Sequence, residues 1–309
     1  MKRRSLLSVA VVAMAASATL LSARPAAAYV RYTSNSGKTF MWPQSCVMIT
    51  AYPNDLIGMM TRDEILGAVD ASAATWSKSS DACTYLDLMV SSSSDATPRA
   101  INDGRNNVIF RTANWCKLTD KGVCDTAMAY DPAALALTSV SASTSSGIIR
   151  DADVEVNASN FNWADLVAHP NLRDGQTFHD LQNAVTHEMG HLIGLDHTCY
   201  LQGPAPIDNT GQPIPDCANA PPDVLATTMF PSANPGDIDK RDLAPDDQQA
   251  VCDIYPASQD PMTCAPSQTD PGGCGCATGG AAEPAVASLV ILIAALVAMR
   301  ARRRRQLRS

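Results

Sequence analysis

Residues 187–197 read HEMGHLIGLDH. The stretch holds three of the chain's five histidines, with Glu188 directly after the first. Leu181, Ala184, Val185, Leu192 and Ile193 recur at helical spacing around it, so a helix is expected after Thr177, capped by Thr177 with Asp180 nearby. On that helix His187 and His191 are four residues apart. Both imidazoles then project from one side, and a single Zn2+ can bridge them. Gly194 ends the helix and permits a sharp reversal, which brings His197 back as a third ligand. Glu188 falls one residue round the helix, beside the metal without being a ligand. Three neutral imidazoles with an open fourth position are the donor set of a catalytic rather than a structural zinc site. Given the first five residues, a glycine and a histidine at the two further positions arise by this composition roughly once in a thousand. Histidines satisfied in an ordinary core do not account for that spacing, and an inert metal clamp does not account for Glu188.

Outward from this motif the chain alternates helix and strand signals. Thr61 opens TRDE, a capping box in which Glu64 reaches back, and Ile65, Leu66, Val69, Ala73 and Trp76 follow on one helical face. Strand-like runs occupy 85–90, 107–111, 135–140 and 148–156. A last helix begins after Pro245 and runs through Val251 and Ile254. The fold class expected is α+β: a mixed, twisted sheet with two long helices and a C-terminal helix. It is one domain over 29–256, followed by a Pro- and Gly-rich tether over 257–283.

The two ends carry address information. Lys2, Arg3 and Arg4, the apolar stretch from Leu6 to Leu21, and Ala26-Ala27-Ala28 have the layout of a signal peptide over 1–28. The Arg3-Arg4 pair leaves the choice between general and twin-arginine export open. Residues 284–309 join an apolar run, Ala285 to Met299, to Arg300, Arg302, Arg303, Arg304, Arg305 and Arg308. The run is short for a spanning helix, which takes about 20 residues, and the arginines would stay on the cytoplasmic side. With PGGCGCATGG at 271–280 before it, this end resembles the C-terminal sorting signal of myxobacteria, which implies processing on export and surface attachment or release. A plain membrane anchor is the alternative.

The net charge is −8. Loss of Arg24 and the other basic residues of both ends leaves a far more acidic middle, which disfavours nucleic acid and anionic lipid. Membrane contact is expected only through the C-terminal segment. Ten cysteines suit an oxidising compartment. Setting aside Cys274 and Cys276, pairing of sequence neighbours would join Cys46–Cys83, Cys116–Cys124, Cys199–Cys217 and Cys252–Cys264.

HEMGHLIGLDH resembles the extended zinc signature of the metzincin metallopeptidases, and most of all that of their matrixin branch. TTMFP at 227–231 is similar to the family's Met-turn, which implies that Met229 lies beneath the zinc ligands. LAPDDQQAVCDIYP at 243–256 is similar to its closing helix, which implies that Asp246 and Asp247 brace the Met-turn. GIIRDADVEVNASNFNW at 147–163 extends the likeness. The resemblance implies a metzincin-like zinc peptidase domain. One zinc ion would be held by His187, His191 and His197, with Glu188 as catalytic base and Gly194 as the turn. It also implies a protein or peptide substrate lying along an edge strand near Leu135 to Val140.

The sequence departs from the family at several points. Only His169 and His179 remain for a second, structural zinc, so that site is expected to be missing. No cysteine-switch segment precedes the domain. Asp151, Asp153 and Glu155 alternate along a strand and could bind Ca2+, or could form a solvated strand face. The 31 residues between His197 and Met229 form a long insertion, rich in proline and holding Cys199 and Cys217. The expectation is an exported, extracellular or surface-attached monomeric zinc endopeptidase of a Gram-negative-type cell. The alternative is an inactive, metallopeptidase-like surface binding protein.

Overall fold

The computed structural model describes residues 29–263, apart from 54–55, 78–82, 96–97, 120–121 and 174–176. The signal segment, Cys264, the cysteine motif and the apolar run with its arginines lie outside the described residues. Five strands form the main sheet: β1 (Cys46–Tyr52), β2 (Asp87–Ser92), β3 (Asn106–Arg111), β4 (Ala136–Ala142) and β5 (Ile149–Asn157). Their spatial order is β2-β1-β3-β5-β4. The first four strands in that order are mutually parallel, and β4 runs antiparallel to β5 at the edge. The fold is therefore α+β with a mixed sheet. β1 is central to it although no strand was expected there. Its signal is the alternation of Val47, Ile49 and Ala51, each fully buried.

Two long helices pack on one another and on the sheet. α1 (Arg62–Trp76) begins with the capping box expected at Thr61: the Thr61 hydroxyl receives the Glu64 amide and the Glu64 carboxylate receives the Thr61 amide. Ile65, Val69, Ala73 and Trp76 face inward, as the spacing required, and Leu66 is only partly covered. The Trp76 indole donates to Thr186 O at 2.8 Å, which locks α1 to α2 (Leu181–Leu192). The cap of α2 is Asp180, not Thr177. Phe178–Asp180 is an extended strand paired in parallel with Asn162–Ala164, so the chain cannot turn helical before Leu181. The Asp180 carboxylate accepts from the amides of Asn183 at 2.8 Å and Leu166 at 2.9 Å, and Arg241 neutralises it. α3 (Pro245–Ile254) starts with proline at its first position, as expected.

The C-terminal end of α2 leaves carbonyls that its own turn cannot satisfy. Two distant groups and one local amide supply the donors. The Trp42 indole reaches Leu192 O at 2.9 Å, the Tyr255 hydroxyl reaches Ile193 O at 2.7 Å, and Gly194 N reaches His191 O at 2.9 Å. The helix bearing the histidines is thus held at both ends by groups from the rest of the fold.

Disulfides join Cys116–Cys124 and Cys199–Cys217, two of the neighbour pairs expected. The other two expected pairs do not form. Cys83 bonds Cys252 on α3, across 169 residues, because the chain before β2 lies antiparallel to the segment that follows α3. Cys46 is disulfide-bonded as well. The packed chain also continues past the domain boundary expected at Pro256. Ala257 N donates to Cys83 O, and Ser45 N donates to Thr263 O, both at 2.8 Å.

The acidic face of β5 is not solvated. Asp151, Asp153 and Glu155 are at most 3 % exposed, beneath a layer of polar partners. Asp151 accepts from the amides of Asp103 and Gly104, and Asp153 from the Asn107 amide and side chain. Glu155 is paired with Arg111 and receives the Tyr130 hydroxyl at 2.7 Å. The opposite face, with Ala152, Val154 and Val156, joins the apolar core under α2.

Candidate metal centre

The helical spacing places His187 and His191 side by side, and the reversal at Gly194 delivers His197 opposite them. Gly194 has φ +99°, and a Cβ there would lie 2.7 Å from Phe40 O, so only glycine fits. The reversed segment is pinned at once: Leu195–Asp196 pairs with Val30–Arg31, and Tyr32 N donates to Gly194 O at 2.9 Å. His197 Nε2 then sits 3.0 Å from His191 Nε2 and 3.3 Å from His187 Nε2. Three nitrogens around one tetrahedral Zn2+ stand about 3.3 Å apart, the spacing set by metal–nitrogen bonds of roughly 2.0–2.1 Å.

The outer nitrogens are committed elsewhere, which decides the tautomers. His187 Nδ1 lies 2.7 Å from Thr228 O, and His191 Nδ1 lies 2.9 Å from Leu195 O and 3.0 Å from the Tyr32 hydroxyl. A ring N–H facing a carbonyl must donate, so in both rings Nε2 is left with its lone pair. Burial holds all three histidines uncharged: His191 is lowered to about 4, and His187 and His197 well below their ordinary value. Buried nitrogens this close, with lone pairs turned inward, fit a cation better than they fit one another. Among the described residues this trio is also the sole group of three or more His, Cys, Asp or Glu donors within 4.8 Å of one another. Asp151, Asp153 and Glu155 form no such cluster.

Glu188 is buried beside the trio. Burial raises its carboxyl to about 7, while the Thr138 hydrogen bond and the nearby Lys240 pull it down. The Thr138 hydroxyl, on the edge strand β4, donates to Glu188 Oε2 at 2.6 Å. Thr138 is a functional neighbour that sequence reasoning missed. Tyr32 and Lys240 were missed as well, since each approaches the motif only through the fold, and Thr228, within TTMFP, had been given no role of its own.

Met229 is 1 % exposed and packs against the histidine-bearing helix at Gly190, which leaves the space for its thioether. Asp247 braces the Met229 segment by accepting the Thr228 amide at 2.6 Å. Asp246 does not share that task. Its carboxyl stays at the start of α3, where burial raises it and the amides of Asp246 and Asp247 offset part of that. His169 stands half-exposed near Glu64, and His179 is buried between Phe161 and Trp163, so neither belongs to the trio.

A cleft of about 460 Å3 opens over the histidines. Its lining includes Leu135 and the start of β4 through Thr138, and the segment Pro231 to Ala233 with Lys240. The disulfide-pinned insertion adds Tyr200, Gln202, Pro206 and Ile214.

No family model matches the chain, and no curated protein matches it. Among solved structures, a chain of the GM1-bound form of the ECX AB5 holotoxin is 13 % identical, covering 74 % of this chain and 89 % of that one, with a TM-score of 0.37. A likeness of that size carries no argument about function.

Proposed function

We propose that the protein is a zinc-dependent endopeptidase of the metzincin type, matrixin-like in its zinc motif and its Met229 turn. The observation that carries this is the convergence of three Nε2 atoms at tetrahedral spacing with a buried carboxylate beside them. His187, His191 and His197 would hold a zinc ion, whose Lewis acidity would lower the pKa of a water and polarise the scissile carbonyl. Glu188 takes the proton from that water and delivers it to the leaving amine. Thr138 occupies Oε2, so the proton is carried on Oε1, and the carboxylate is held at a fixed angle to the cleft. β4 is a free edge bordering the cleft, so an extended peptide can add to it through main-chain hydrogen bonds. The disulfides support export to an oxidising compartment, with the arginine-rich C-terminal end as a sorting signal.

The test is zinc content and casein cleavage by the purified domain, repeated with Glu188→Gln. The expected result is one zinc per chain in both proteins, and cleavage at least about a hundredfold slower in the variant. A zinc-loaded native protein that cleaves nothing would sink the peptidase assignment and leave a metal-bearing binding protein.

A further inference from the structure

Lys240 is the one lysine or arginine on the cleft wall among the described residues. Its backbone N–H donates to Asn183 Oδ1 at 2.7 Å. Asn183 precedes His187 by one turn on the same face of α2, so Lys240 is moored about 6 Å along the helix from the ligands. Its ammonium donates to Phe230 O and lies 3.5 Å from His187 Nδ1. That nitrogen cannot accept, because its proton is given to Thr228 O. An ammonium has three N–H donors, and Phe230 O takes one of them. Arg111 and Arg241 are both matched to carboxylates within 4.0 Å, whereas Lys240 Nζ has none at that distance among the described residues and meets only the more distant charges of Glu188, Asp247 and Asp237. The neighbouring wall is largely apolar, with Ala184, Pro231 and Ala233, and a charge pair there is screened less than in water.

We propose that Lys240 sets the substrate preference of this cleft by pairing with an Asp or Glu side chain of the bound peptide. This rests on the endopeptidase assignment. An extended peptide advances about 3.3 Å per residue, so the acidic residue falls within about two positions of the scissile bond. The arrangement also explains why one cation is kept beside a centre that already binds a cation: the pair gives the peptide two separate points of attachment. Charge-assisted hydrogen bonds formed here favour Glu over Gln by about tenfold or more in kcat/KM.

The experiment uses the zinc-loaded domain and acetylated, amidated peptides, so that no chain terminus supplies a carboxylate. Glu, Gln, Leu and Lys are placed in turn at each position within three residues of the cleaved bond. The native protein should prefer Glu at one position, Lys240→Met should erase that preference, and Lys240→Glu should transfer it to Lys. Native cleavage without an acidic preference overturns the proposal alone, as does a preference that survives Lys240→Met. In parallel, binding of the Glu and Gln peptides to Glu188→Gln protein is measured by calorimetry, with and without Lys240→Met. Lys240-dependent binding of the Glu peptide by a protein that cleaves nothing supports the carboxylate site and rejects the peptidase assignment. Equal binding of both peptides with no cleavage rejects both.

Discussion

Gly190 and Met229 occupy adjoining space: a Cβ built on Gly190 would overlap the Met229 sulfur and come within 3.0 Å of Trp76 Cζ2. The glycine inside the histidine motif is therefore a packing requirement. In an isolated helix alanine would be better there by about 1 kcal/mol. Gly190→Ala is expected instead to destabilise the domain by about 1–3 kcal/mol through overpacking. Urea unfolding checks this, and Gly190→Ala/Met229→Ala should be less destabilised than the two single changes added together. Strict additivity would show that the contact is not the cause.

Thr138 donates to the Glu188 carboxylate, to which the proposed mechanism gives the proton transfer. Thr138→Val keeps the shape and removes the hydroxyl, so kcat is expected to fall about three- to tenfold with KM and zinc content little changed. Thr138→Ser should recover most of the rate. A fall confined to KM would assign Thr138 to peptide binding instead.

The bond between Cys83 and Cys252 closes a loop that spans most of the domain. Replacing both by serine is expected to cost about 3–5 kcal/mol, more than replacing Cys116 and Cys124, whose separation is 8 residues. Chemical unfolding of the two variants side by side gives the comparison. Equal losses would mean that loop length does not set the effect.

Asp153 gives a pH signature. Burial, then the charge of Asp151, raises its carboxyl to about 9, against about 3.9 in an unfolded chain. Between those values the folded protein holds a proton that the unfolded chain has released. The stabilisation from this group is full below about pH 4 and is lost as pH rises towards 9. Asp153→Asn keeps an oxygen for the two Asn107 donors and removes the titration. Its stability relative to the native protein should rise steadily from pH 5 to pH 8. A difference independent of pH would mean that Asp153 is ionised when folded.

The histidine trio was legible because its geometry is local. Helical periodicity fixes His187 against His191, and a glycine is visible as the turn before His197. Met229 was legible through family likeness, and Asp247 with it, but the separate fate of Asp246 depends on how α3 meets the turn. Tyr32, Thr138 and Lys240 left no sequence signal, since they reach the motif across 159, 50 and 53 residues. The same distance dependence sorts the disulfides. The two loop staples follow from nearness in sequence, whereas Cys83–Cys252 follows from where β2 and α3 happen to end. Alternating acids along β5 gave no sign that a polar layer would cover them.

The anchoring of Tyr32 to His191 and Gly194 has a consequence for assembly in time. A chain that emerges amino end first presents Tyr32 159 residues ahead of its partner histidine. The frame of the metal centre closes only when the two meet, a non-local and intrinsically slow event. On the proposed function, a partly emerged chain would have no means of cutting itself or its neighbours, and competence would arrive with completion.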